Sequence, residues 1–202
     1  MSTTTDPVGD EPKCLHSTPQ KRSRPHLHDD DFNQLFRNAR TRAFHLETQD
    51  TYNTPEEAEP LRLWLAGEPD PDAEWYSEWD DLIAESTQRG VAIRRIRIVT
   101  VPNSDYTRWL CAVSDSNIAA GEDIRWLPRH LVSKDEYTVD DWWLWDDDLL
   151  GFTIFEPSGR FAGAAVTDDP VLLERCLIVR DRLWPKAIPH GEYVRSEYVT
   201  RQ

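Results

Sequence analysis

The chain has 202 residues, 39% of them hydrophobic and nine of them Trp, which is enough for one sizeable core. A formal charge of −14 and a pI near 4.8 argue against a protein whose main task is gripping phosphate backbones, since that needs an excess of Lys and Arg. No apolar signal region opens the chain and no segment approaches the length of a membrane span, so a soluble cytoplasmic protein is expected.

Residues 1–28 are rich in Ser, Thr, Pro, Asp and basic residues, with little to bury, and predict a disordered tail. Its KRSRPHLH patch reads as a solvated arm, because two alternating His without further ligands make a poor metal site. The fold is expected to begin at Asp29–Asp31, three candidate N-caps ahead of Phe32, Leu35, Phe36 and Ala39, whose spacing marks one helical face. AFHLE (43–47) reads as a short strand. Pro55 with Glu56, Glu57 and Glu59 opens a helix with a predicted stripe of Leu61, Trp64 and Leu65, ended by Gly67. Asp72 is a candidate cap for a helix reaching about Arg89, with Trp75, Trp79, Leu82 and Ile83 on one face and Gly90 at its end.

VAIRRIRIVTV (91–101) is the clearest strand, and YTRWLCAV (106–113) is expected to pair with it across a turn at Pro102–Asn103–Ser104, with a short helix over 114–120. DIRWL (123–127) reads as a further strand. WWLWD, LLGFTIFE and RFAGAAVT predict a three-stranded meander, with Asp146, Asp147 and Asp148 as its first corner. Asp168 or Asp169 with Pro170 opens a helix to about Lys186, with Leu172, Cys176, Val179 and Leu183 facing inward. Residues 196–202 form a polar tail. The class is therefore α/β, with α+β also open: one domain over 29–195, a mixed central sheet and a C-terminal antiparallel meander flanked by helices. Cys111 and Cys176 lie in apolar runs and Cys14 in the tail; none forms a CxxC, which suits reduced thiols.

Charge is unevenly placed. From Glu47 to Asp81 twelve acids face one basic residue, Arg62, whereas from Arg89 to Arg129 seven arginines outnumber four acids. Internal pairing of acidic helical segments with an arginine-bearing sheet would limit self-repulsion. Arg95 and Arg97 share one face of their strand and Arg94 takes the other, so the first two need acceptors: acids of the same domain, or an anionic ligand. Asp105, Tyr106, Arg108, Glu122, Arg125 and Arg129 lie at turns beside strands, where functional residues are common. In DDWWLWDDDLLG, Trp143 and Trp145 point to one face and Trp142 and Leu144 to the other. That pattern fits an interior strand covered on both sides, with Asp141 left at its entrance as a candidate. The candidate ligand-binding residues are Arg95, Arg97, Asp105, Arg108, Arg125, Arg129 and Asp141. No P-loop, GxGxxG, GxSxG or HExxH is present, and no cofactor or metal is expected.

Over about residues 31–195 the chain resembles an actinobacterial domain family of unknown function, six-eight-seven-nine in its series. The resemblance is carried by ARTRAFHLETQDTY (39–52), WLAGEPDPD (64–72), RGVAIRRIRIV (89–99), NIAAGEDIRWLPR (117–129), DDWWLWDD (140–147) and LWPKAIPHGEY (183–193). Members are often encoded beside helix-turn-helix regulators, which implies such a regulator as protein partner. The order of elements also resembles a phospholipase D-like half-domain, whose active members carry HxK followed four residues later by Asp. His130, Lys134 and Asp140 do not keep that spacing, so the resemblance implies the fold and argues against the activity. The expectation is a non-catalytic acidic accessory or regulatory protein that binds a protein partner, with direct nucleic-acid binding not expected. The alternative is a degenerate phospholipase D-like enzyme or a binder of a phosphate-bearing small molecule, with Arg95, Arg97, Arg125 and Asp141 around one pocket.

Overall fold

A computed structural model describes residues 29–70, 77–156, 158 and 160–200. The expected N-terminal tail, Cys14, and the Asp72 and Trp75 end of the third helix lie outside the described residues. In chain order the elements are α1 (Asp29–Asn38), β1 (Arg42–Glu47), α2 (Pro55–Ala66), α3 (Ser77–Gln88), β2 (Ala92–Val99), α4 (Asp105–Ala119) and β3 (Asp123–Pro128). Two 3-10 turns, Arg129–Leu131 and Lys134–Glu136, lead to β4 (Trp142–Trp145), β5 (Leu149–Phe155), β6 (Phe161–Thr167), α5 (Pro170–Leu183), β7 (Ile188–Pro189), α6 (His190–Tyr193) and α7 (Glu197–Thr200).

The seven strands form one mixed sheet in the order β6-β5-β4-β1-β2-β3-β7. β1, β2 and β3 run parallel, joined by helical crossovers, and the meander β4-β5-β6 adds antiparallel to β1. This is the α/β single domain that the sequence predicts. One expected strand is instead a helix: YTRWLCAV lies in α4. Ser104 caps that helix by accepting from the Thr107 N–H (3.1 Å), and the buried Tyr106, Trp109, Leu110 and Ser114 recur at helical spacing. A parallel β2–β3 pair needs such a crossover, whereas a hairpin would have set the two strands antiparallel.

Alternation along the strands sorts the core onto two faces. Phe44, Leu46, Ile96, Ile98, Trp142 and Leu144 pack under α5 with Cys176, Val179 and Leu183. On the other face Ala43, Ile93, Trp143 and Trp145 pack with Phe36, Leu82 and Ile83 of α1 and α3. Farther along that face Ile124 and Trp126 join Trp109 and Leu110 of α4 and Tyr193. Trp142, Trp143 and Trp145 are all buried on both sides of β4, as its apolar pattern requires. Burying each ring contributes roughly 2–3 kcal/mol.

Two helical stripes sit differently from the expected ones. On α2 Leu63 is buried and Leu61 half-buried, while Trp64 and Leu65 are exposed, because the helix is turned to aim Glu57 inward at Tyr106. On α5 Leu173 packs on the core in place of the exposed Leu172. Asp169 caps α5 by accepting from the N–H groups of Val171 (2.9 Å) and Leu172 (3.2 Å). Cys111 and Cys176 are buried free thiols, pushed by burial up to about 12 and about 11, which leaves them protonated and unreactive. Among the described residues no helix is long and apolar enough to cross a membrane.

Candidate functional site

Between the two apolar clusters of the α1–α3–α4 face, the sheet carries a polar band. Strand register writes it out directly. Trp143, His45, Arg95 and Ile124 are successive cross-strand neighbours, and one pleat farther along so are Glu47, Arg97 and Trp126. His45 and Glu47 occupy the odd positions of β1, opposite Phe44 and Leu46, so the same two-residue period that buries the phenylalanine aims the imidazole at this face.

The arginines are matched inside the sheet. Glu47 accepts from Arg95 Nη1 (2.6 Å) with one carboxylate oxygen and from Arg97 Nε (2.5 Å) with the other. Glu122, in the turn before β3, accepts from Arg95 Nε (2.7 Å), and Ser114 of α4 accepts from Arg97 Nη1 (2.7 Å). All four charged residues are buried, Arg97 at 3% exposure and Glu122 at 2%. Burial would raise the Glu47 carboxyl, but the Arg97 and Arg95 guanidiniums outweigh it and hold it down at about 2. The pairing expected from charge placement is thus internal, but these acceptors stand on a strand and a turn and not on the acidic helical segments. The guanidiniums also lie over indoles, Arg95 over Trp143 (5.6 Å) and Arg97 over Trp126 (5.2 Å).

A cavity of about 830 Å³ opens over this band. Its walls include Phe32, Trp79, Trp143, Phe155 and Phe161, and its polar groups include His45, Glu47, Glu57, Arg95, Arg97, Asp141 and Thr153. Asp141, at the entrance to β4, accepts from the Thr48 N–H (2.8 Å) and hydroxyl (2.7 Å) and from the Tyr52 hydroxyl. Burial pushes its carboxyl up to about 6 against those hydrogen bonds. Glu57, the inward residue of the first turn of α2, accepts from the Tyr106 hydroxyl (2.7 Å) and from Thr54. Burial raises its carboxyl too, despite both hydrogen bonds. The ring of His45 stacks on Trp143 (centroids 4.2 Å apart, planes 14° apart). Its Nδ1 lies 3.3 Å from a Glu47 oxygen, yet neither ring nitrogen makes an aligned hydrogen bond. Burial, with Arg95 and Arg97 close by, keeps this imidazole neutral, well below the ordinary histidine range, although Glu47 pulls the other way.

Of the seven residues predicted as a ligand site, Arg95, Arg97 and Asp141 come together at this cavity. The other four lie elsewhere. Asp105 and Arg108 form an ion pair one turn apart on α4. Arg125 lies over the Trp184 ring (3.9 Å) and pairs with Asp123 (3.4 Å). Arg129 ties loops together by donating to the carbonyls of Thr48 (2.6 Å) and Ile98 (3.1 Å). His130, Lys134 and Asp140 are all exposed and do not line the cavity. The residues that sequence reasoning missed are His45, Glu47, Tyr52, Glu57 and Thr153. One signal could have found two of them, since AFHLE places a His and a Glu in alternate positions of a strand otherwise fit for burial.

The domain of unknown function DUF6879 matches residues 30–195. The chain belongs to the DUF6879 family. No curated protein matches it. Among solved structures, this DUF6879 domain is similar to TrmBL2, an archaeal chromatin protein described as showing a novel mode of DNA binding, at 12% identity and a TM-score of 0.44. The match covers 78% of this chain and 48% of that one, so the DUF6879 chain spans about half the length of that protein. Because the similar protein binds DNA, the expectation of a protein partner to the exclusion of nucleic acid is withdrawn. The nucleic-acid part of that expectation rested on net charge, which does not report local basic surface, and the helix-turn-helix partner rested on acidity, the lack of a catalytic set and the gene neighbourhood of the resembled family. A likeness this distant assigns no nucleic-acid role to this domain.

Proposed function

We propose that this DUF6879 domain is a regulatory module whose cavity takes a small organic molecule. One observation carries the reading. Among the described residues six buried side-chain polar atoms lack a hydrogen-bond partner, and four of them belong to residues lining this cavity: His45 Nδ1 and Nε2, Trp79 Nε1 and Thr153 Oγ1. An unpaired buried donor or acceptor costs roughly 1–3 kcal/mol, and folded chains leave few of them. Four in the lining residues of one cavity, with aromatic walls and a volume within the ordinary range for such sites, support a ligand seated against them.

The phosphate-bearing ligand of the sequence-based alternative fits less well. In a phospholipase D-like half-domain, which remains part of this proposal, a His and a Lys two residues apart would meet the phosphate. Here the pair facing the cavity is His45 and Glu47, and both arginines are committed to glutamates. A phosphate would have to strip Arg95 or Arg97 from Glu47 and leave that buried carboxylate with one arginine in place of two.

The test is a ligand-observed NMR screen of a small-molecule library against the full chain and against Thr153→Trp, which places an indole in the cavity. Hits that bind the wild-type chain and fade on the variant are expected. An empty screen, or hits equally strong on both chains, would contradict the reading.

A further inference from the structure

The cavity is not uniform, and one corner of it selects a ligand chemistry. Tyr52 stands at its centre, with its ring centroid 5.9 Å from that of Tyr106 and 5.3 Å from that of Phe155. Each tyrosine hydroxyl donates to a carboxylate, Tyr52 to Asp141 and Tyr106 to Glu57. Three aromatic rings therefore share a corner with two carboxylates, all five residues lining the same cavity.

We propose that this corner binds the positively charged nitrogen of an organic amine, with Asp141 and Glu57 as its counter-charges and the Tyr52, Tyr106 and Phe155 rings around it. The proposal rests on the cavity being a ligand site and adds the class of ligand. Three independent features support it. First, the charge balance of the lining is negative: Glu47, Glu56, Glu57, Glu78, Asp141 and Glu156 outnumber Arg95, Arg97 and Arg160. The arginines are matched, Arg160 by Glu156 and the other two by Glu47 and Glu122, so the unbalanced charge falls on Glu57 and Asp141 of the corner and on Glu56 and Glu78. Second, aromatic rings attract cations through their π faces, and desolvation strengthens that attraction. Third, an ammonium donates three hydrogen bonds and needs acceptors. Because the tyrosine protons are directed at carboxylates, the phenolic oxygens keep lone pairs that can accept from it. An anion would meet the reverse of each condition.

Titration of the full chain with phenethylamine, phenethyl alcohol and phenylacetate isolates charge, since all three carry the same ring. The amine is expected to bind about tenfold tighter than the alcohol, and phenylacetate weakest. Glu57→Gln and Asp141→Asn should each weaken the amine about fivefold to tenfold while changing the alcohol less, with thermal melts confirming that both variants fold. Equal affinities, a preference for phenylacetate, or no measurable binding of the amine would each overturn the amine assignment. The broader reading of the cavity falls separately, on the library screen and Thr153→Trp.

Discussion

Glu47 is the residue on which the buried charge balance turns, because a single carboxylate serves two arginines at 2.6 and 2.5 Å. Glu47→Gln keeps the shape and removes the charge, taking the Glu47 carboxylate away from both Arg95 and Arg97. Breaking a buried pair in this way costs roughly 3–5 kcal/mol, whereas Glu85→Gln at the exposed Arg89 pair should cost under about 1 kcal/mol. Urea denaturation of the two variants measures the contrast, and similar losses would show that the buried set is not a coupled unit. Asp141 behaves in the opposite sense with pH. Its carboxyl is raised by burial to about 6, above an unfolded value of about 3.9, so the folded state holds the proton more tightly. The stability from that proton is fully present below about pH 4 and is lost as pH rises through about 6. Relative to Asp141→Asn, the wild-type chain should lose on the order of 2 kcal/mol between roughly pH 4 and pH 7, read from denaturation midpoints at each pH. Glu47, lowered to about 2, contributes above its unfolded value and loses that contribution only in strong acid.

At the scale of elements, the β4–β5 corner ties the meander to the central strand. Asp146 adopts φ 51°, and its carboxylate accepts from the backbone N–H groups of Arg40 (2.9 Å), Thr41 (2.8 Å) and Arg42 (3.2 Å) at the start of β1. Asp146→Ala removes those acceptors at a left-handed position and should cost about 2–3 kcal/mol. Gly151 leaves room for an indole, since a Cβ there would meet Trp145 Cζ3 at 2.8 Å. Gly151→Ala should therefore lower the melting temperature by several degrees, an overpacking cost of roughly 1–3 kcal/mol. Strands β1 to β6, α1, α5 and the aspartate corner were legible in the sequence because alternation, Asp–Pro caps and turn residues are local signals, whereas the two-residue β7 carries no such signal. α4 was not. The run WLCAV is apolar on consecutive positions, which suits a buried strand as well as a helix, and the deciding facts are the Ser104 cap and the parallel partner β3.

For the whole molecule, the candidate site was half legible. Two-residue periodicity alone puts Arg95 and Arg97 on one face, and Asp141 stands out at the entrance to a buried strand. What periodicity cannot supply is register. His45 and Glu47 meet Arg95 and Arg97 only because β1 and β2, some fifty residues apart, pair at those positions. Tyr52 with Asp141 and Tyr106 with Glu57 are likewise tertiary pairs between distant segments. Once assembled, these groups surround a cavity whose polar atoms are unevenly satisfied, and ligand binding there is what the arrangement supports. Its most direct test is a histidine side-chain nitrogen–proton correlation spectrum of the full chain, recorded with and without a ligand found by screening. The resonances of His45 should move, while those of His190, whose Nδ1 already accepts from Trp126 Nε1 (3.0 Å), should stay in place. An unmoved His45 at ligand saturation would contradict the account.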